Sequence, residues 1–211
     1  MNRLALAIMC LAWADAAAQC PPYEKGSIGG DYHDAADARG LPVVEQYHFQ
    51  PQVEMLLRGQ TGPLGGDIGY TLDHFPNHPR ALAAMARLAL KTKSPHPHGA
   101  RFSVECYFER ATGFRPGDGN VRALYGAYLM AHGRDKDAIV QLEAAVESAP
   151  GNAGAWYNLG LLEMRRKRSK EALAAAHKAY GLGFPLPGLR RRLKAAGVWQ
   201  DPPSLDAVLA H

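Results

Sequence analysis

Residues 117–150 read GDGNVRALYGAYLMAHGRDKDAIVQLEAAVESAP, and residues 151–184 read GNAGAWYNLGLLEMRRKRSKEALAAAHKAYGLGF. Laid one above the other, these two blocks of equal length put Gly126 over Gly160, Ala138 over Ala172, Ala145 over Ala179 and Asp135 over Ser169. Pro116 and Pro150 each end the preceding segment. A fixed period of this size marks units that cannot bury their apolar faces alone and must stack. Each block reads as helix, tight turn, helix: Val121 to Ala131, His132-Gly133-Arg134, then Asp137 to Ser148, and in the next block Ala155 to Met164, a basic turn, then Lys170 to Tyr180. Asp135 and Ser169 stand where the second helices start and are expected to cap their orphan N–H groups. The small residues have a steric purpose. Gly126 against Ala138, and Gly160 against Ala172, let antiparallel helices approach closely. Tyr125, Leu142, Trp156 and Leu159 then fill the space between neighbouring pairs.

This pattern resembles the tetratricopeptide repeat (TPR) family, whose units carry W-x2-L-G-x2-Y followed by spaced Ala, Phe, Ala and Pro. Trp156, Leu159, Gly160, Ala172 and Ala179 match it best. Glu163 stands in place of Tyr, Ala176 in place of Phe, and Pro185 arrives one position late. The preceding block keeps Gly126, Ala138, Ala145 and Pro150, with Arg122 in place of Trp. An earlier block, from His78 to Pro116, keeps Ala86, Phe108, Ala111 and Pro116. It is longer by six residues inserted around Thr92 to Ala100. The resemblance implies an all-α fold, a right-handed α-solenoid of helical hairpins over residues 77–184.

The flanks follow from that body. Pro185-Leu186-Pro187-Gly188 breaks the array. Leu189 to Ala196 then forms a short amphipathic helix with Arg190, Arg191, Arg192 and Lys194 outside its apolar face. Stacked repeats need such a terminal cap, so residues 185–211 read as capping helix and tail. Upstream, residues 43–76 read as a helical segment or degenerate repeat, with Gly62-Pro63-Leu64-Gly65-Gly66 as a loop. That loop has no Gly-Lys-Ser/Thr after it and is not a phosphate cradle. Residues 19–42, rich in Gly, Asp and Ala, read as a polar, mobile leader.

Residues 1–18 have the order of an export signal: Arg3, an apolar run from Leu4 to Ala14, then Ala16-Ala17-Ala18. The expected cleavage follows Ala18, which places the chain in the periplasm or outside the cell. The apolar run is too short to span a bilayer. Export leaves Cys20 and Cys106, and an oxidising compartment permits a disulfide between them. The chain is 47% hydrophobic. That is enough for a core and argues against wholesale disorder.

Charge is polarised. Residues 19–79 carry three basic and eight acidic side chains; residues 165–194 carry ten basic and one acidic. The basic stretch reads as a solvated face, with a docking surface as the functional alternative. It lacks interleaved aromatics, and nucleic acid is not expected. His74, His78, His96 and His98 are the alternative of a metal site, weakened because Pro76 interrupts the first pair and an inserted loop holds the second. H-E-x-x-H, C-x-x-C and G-x-S-x-G are absent, so neither catalysis nor a cofactor is expected.

What the resemblance implies about function is a concave groove lined by the first helices, taking a protein or peptide partner. By matching positions, the groove residues are Arg80, Ala83, Arg87 and Lys91, then Asn120, Ala123, Ala127 and Met130, then Tyr157, Asn158, Leu161 and Arg165. Some members of the family clamp a carboxylate with Lys, Arg and Asn. Those side chains here suit a partner carrying an acidic group beside apolar residues, and the acidic leader is an alternative occupant. The expected role is an interaction module, with an adapter in an envelope assembly as its more specific form.

Overall fold

The computed structural model describes residues 20–201, and every regular element among them is helical. The two aligned blocks fold as hairpins: α6 (Gly119–Ala131) with α7 (Asp135–Ser148), and α8 (Ala153–Arg165) with α9 (Ser169–Gly181). Each first helix begins after a Pro-Gly-Asp or Pro-Gly-Asn turn whose last side chain caps it. Asp118 accepts from the N–H groups of Asn120 and Val121 (both 3.1 Å), and Asn152 from that of Ala155 (2.9 Å). Such a cap stabilises a helix by about 1 kcal/mol. Asp135 and Ser169 do not act this way. They are the first residues of α7 and α9, and the cap positions are held by Arg134 and Arg168, whose side chains accept no bond from the helix's N–H groups. The tight turn leaves no extended residue there to supply one.

The close approaches expected of the small residues are present. A Cβ on Gly126 would lie 2.6 Å from Leu142 Cγ and 3.4 Å from the Ala138 carbonyl oxygen. One on Gly160 would lie 3.3 Å from the Ala172 oxygen and 2.5 Å from Leu189 Cδ2. Ala138, Ala145, Ala172 and Ala179 are fully buried beside them. Leu129, Leu142 and Leu162 fill the interior. Each such side chain contributes about 1.5–3 kcal/mol by leaving water. Trp156 is half-buried and its indole N–H donates to Pro150 O at 2.8 Å. In the preceding repeat Arg122 Nε donates to Pro116 O at the same distance, so the departure from Trp preserves the bond.

The earlier repeat is α4 (Pro79–Thr92) and α5 (Val104–Phe114), separated by the insertion. Before it stand a 3-10 turn (Asp37–Gly40), α1 (Leu41–His48), α2 (Pro51–Glu54) and α3 (Leu64–His74). The loop expected at residues 62–66 is half right, because α3 starts at Leu64 and takes in both glycines. The insertion explains them: a Cβ on Gly65 would lie 2.5 Å from the His98 carbonyl oxygen. Helix propensity yields to a close approach between backbones.

Of residues 19–42, expected as a mobile leader, 37–42 form the 3-10 turn and open α1, and 20–36 lie against α5 and the turns that precede α4 and α6. Cys20 and Cys106 form a disulfide, with Cα atoms 5.3 Å apart. Arg110 donates to Pro21 O (2.9 Å), Tyr23 Oη donates to His74 O (2.8 Å), and the N–H of Gly30 donates to the same oxygen (2.9 Å). Fully buried Asn77 accepts from the N–H of Tyr32 (2.9 Å) and donates to Asp31 (2.8 Å), which also pairs with Arg115. Burial alone would raise the Asp31 carboxyl, but the His33 N–H, the Asn77 amide and Arg115 hold it below its usual range. A polar composition reads as a loose segment only while its partners, far along the chain, are unseen. At the other end α10 (Gly188–Ala195) buries Leu189 and Leu193 against α8 and α9, within one residue of the expected cap.

Candidate functional site

The first helices α4, α6 and α8 lie side by side and present one stripe each to a common groove of about 510 Å³. The stripes follow helical spacing. Arg80, Ala83 and Arg87 come from α4, and Asn120, Ala123, Leu124 and Ala127 from α6. Ala155 and Asn158 come from α8, with Asn152 at its cap. The floor is alanine, whose short side chain leaves volume where adjacent first helices meet. Above it stand amides. Asn120 Oδ1 accepts from Asn152 Nδ2 at 2.9 Å, which orients the Asn120 NH2 group as a donor.

Arg80, Ala83, Arg87, Asn120, Ala123, Ala127 and Asn158 are therefore brought together where the sequence put them. Five others are elsewhere. Lys91 lies further along α4, its Nζ donating to Leu56 O at 3.0 Å. Arg165 lies at the end of α8 and ties two hairpins together through Asp135 (2.9 Å) and Met130 O (3.2 Å). Met130 itself is buried in the core. Tyr157 is buried on the other side of α8, stacked on Phe184 at 4.2 Å. A neighbour of Asn158 is rotated by more than a quarter turn around the helix and cannot share its face. Leu161 packs against the interior.

The groove also contains what the sequence reading missed, an acid. Glu54, on α2, lines it and takes Arg80 in a two-bond pair, Nε to Oε1 at 2.9 Å and a shorter NH2 to Oε2 contact. Arg87 donates to the Glu54 carbonyl oxygen at 2.7 Å, and Glu45 adds a second carboxylate 3.3 Å from Arg80. The hydrogen bond from Arg80 holds the Glu54 carboxyl below its usual range, and the same bond raises the guanidinium. Each of the three α4 cations is thus occupied by residues 45–56. The legible signal was the excess acid in residues 19–79, immediately before this basic helix.

The four histidines of the metal alternative are not assembled into a site. His78 is fully buried, accepting from the Ala81 N–H through Nδ1 (3.2 Å) and meeting Glu45 through Nε2 (3.0 Å). His74 Nδ1 meets Ile28 O, and His96 Nε2 meets Ala100 O within its own loop. His98 is exposed on that loop. Among the described residues no group of three His, Cys, Asp or Glu could hold a metal. In the basic C-terminal stretch, Arg168 forms a two-bond pair with buried Glu163, the residue that stands in place of Tyr, and Arg166 approaches it at 3.5 Å. No helix among the described residues is long and apolar enough to cross a membrane.

No protein-family model matches the chain, and no curated protein matches it. Among solved structures it is similar to YrrB, a TPR protein described as having an unusual peptide-binding site. The identity is 20%, with 76% of this chain and 71% of that chain covered and a TM-score of 0.45. The chain itself is an all-α array of stacked helical hairpins with a capping helix.

Proposed function

We propose that the protein is an exported interaction module that holds an extended polypeptide segment in the groove between α4, α6 and α8. The observation that carries this reading is the groove itself. It combines an alanine floor with oriented amide groups, and no described segment of the chain fills it. An extended peptide leaves its backbone N–H and C=O groups unpaired, and side-chain amides can satisfy both kinds. Polar groups above an apolar floor are the usual composition of a recognition site. The residues 20–36 strap crosses the repeat turns and leaves the groove open, so it is not an internal occupant.

Export is supported by the order of charge, apolar run and small residues in positions 1–18, which lie outside the described residues, and by the Cys20–Cys106 disulfide. An adapter role in an envelope assembly is the form of the function that suits such a module.

A photo-activatable cross-linker placed at Ala127 tests the groove in intact cells. It should capture a polypeptide partner that the same label at Lys178, on the outer face of α9, does not. Asn158→Trp, at a half-buried groove position, should abolish that capture without loss of helicity. Equal capture from both positions would overturn the reading. Export is checked by the N-terminal residue of the mature chain, expected at Gln19; a chain retaining Met1 with free thiols would remove that part.

A further inference from the structure

The sequence places Arg80 and Arg87 on the groove face of α4, a pair suited to an acidic ligand, and the structure engages both from within, Arg80 through its whole fork and Arg87 through one N–H. Glu54 is the centre of this arrangement. Its carboxylate takes the fork of Arg80 and its carbonyl oxygen takes Arg87. Glu45 stands against Arg80 from the other side, and Lys91 is held by Leu56 O. A planar guanidinium matched by two carboxylate oxygens has the geometry an incoming carboxylate would need, so the two compete for one site. The segment that carries Glu54 is anchored by Val53 and Leu56, both buried, while Met55 and Leu57 between and after them face solvent. Leu56 sits at φ 58°, a left-handed conformation that turns the chain back immediately after the acid. The acid is therefore delivered to the groove wall by a buried, conformationally committed turn rather than by a free loop.

We propose that Glu54 determines the charge class of the ligand: it occupies the carboxylate position of the groove, so that the protein accepts neutral extended peptides and rejects acidic ones. This rests on the groove being the ligand site and adds what the groove selects. Specificity of this kind comes from a repulsive element as much as from an attractive one. An acidic peptide would have to displace Glu54 from Arg80 or bring a third carboxylate beside Glu45 and Glu54. A neutral peptide meets the amides of Asn120 and Asn158 with the carboxylate position on Arg80 already filled.

The test has two arms. In the first, inorganic sulfate is the probe, at constant ionic strength, read by thermal unfolding. Glu54→Gln removes the competing charge, so sulfate should raise its Tm by about 3 °C more than that of the wild type. Glu54→Gln/Arg80→Gln should lose that excess. Equal sulfate responses in wild type and Glu54→Gln would overturn the proposal, because Glu54 would then not be screening an anion site. In the second, both proteins select from one random-peptide display library, with Asn158→Trp as the groove-blocked control. Wild type should enrich neutral peptides, and Glu54→Gln should enrich peptides bearing Asp or Glu, with acidic peptides gaining about tenfold in affinity. Pools of the same net charge would overturn the proposal. Peptides that bind the Asn158→Trp control equally well would overturn the groove reading instead, and the sulfate arm still decides the role of Glu54.

Discussion

The hairpins of residues 119–181 and the N-terminal segment of residues 20–74 are built by different means. In the hairpins, α6 meets α7 and α8 meets α9 through Gly126, Gly160 and buried alanines, and the same contact recurs from one repeat to the next. The N-terminal segment also puts Phe49, Val53, Ile68 and Leu72 into the core, but what ties it to the repeats besides is covalent or polar, singular and distant in sequence: Cys20 with Cys106, Asp31 with Asn77 and Arg115, Glu54 with Arg80. Apolar repetition makes a region that any one unit can stabilise through its neighbours. Polar singular contacts make a region that depends on each bond and on the compartment that allows it.

The disulfide is the largest test of that difference. It closes a span of 86 positions. The chain-entropy account gives about 4–5 kcal/mol for a loop of that length. Cys20→Ser/Cys106→Ser should lose up to that amount in urea unfolding. Hydrogen exchange should show the amides of Gly30 and Tyr32 losing protection while those of α6 to α9 keep theirs. Equal loss of protection in both regions would show one cooperative unit and end the comparison. The next effect lies on the repetitive side. Gly126→Val places a branched side chain against Leu142. It should cost about 2–3 kcal/mol through overpacking. If this variant unfolds like the wild type, the small residues are not what sets the spacing of α6 and α7.

The same contrast explains what could be read in advance. Gly126, Gly160, Ala138 and Ala172 announce themselves because steric necessity repeats at a fixed interval, and the helix bounds follow to within two residues. The groove stripes of α4 and α6 were legible for the same reason, since helical spacing fixes which positions share a face. Tyr157 failed because adjacent residues cannot both face the groove. Glu54 failed because no period connects it to Arg80, 26 positions away. The caps Asp118, Asn152 and His78 were within reach, each standing two residues after a proline that ends a segment.

His78 joins the two regions, and its protonation offers a finer test. Its Nδ1 accepts from the Ala81 N–H, so the proton sits on Nε2 and faces Glu45 of α1; Arg80 and Tyr32 are its other close polar neighbours. Burial pushes the imidazole below its ordinary 6.5, and Glu45 opposes this without reversing it. The unfolded chain therefore takes up a proton before the folded one does. The stabilisation is complete above pH 6.5 and is lost as pH falls from there to the folded value. Stability therefore rises with pH across that window, because the unfolded chain binds more protons there. Asp31, Glu54 and Asp67, all held below their usual values, contribute at lower pH, whereas burial raises Asp73, which takes up its proton in the folded chain first and so opposes the loss as pH falls; the effect of His78 is the difference between the wild type and a His78 variant. His78→Asn keeps a capping acceptor without a titrating group, and urea midpoints measured from about pH 7.5 to about pH 5 should lose the slope. A slope that survives would place the pH sensitivity outside this joint.

The smallest effect compares the two hairpins with each other. Both first helices end in the same two-bond turn. Gly133 donates to Met130 O and Arg134 to Leu129 O; Lys167 donates to Met164 O and Arg168 to Glu163 O. The turn needs a left-handed residue, at φ 72° for Gly133 and φ 60° for Lys167. Glycine adopts that conformation without a Cβ clash, whereas lysine loses about 1 kcal/mol, of which the greater freedom of glycine in the unfolded chain returns part. Lys167→Gly should thus stabilise the protein by about 0.5 kcal/mol in urea unfolding, and Gly133→Lys should destabilise it by a similar amount. The backbone bonds are the same in both turns, so the pair isolates the left-handed residue from everything else in the repeat. Destabilisation by Lys167→Gly would mean that the Lys167 side chain contributes a contact of its own, and that the two hairpins are less alike than their period makes them.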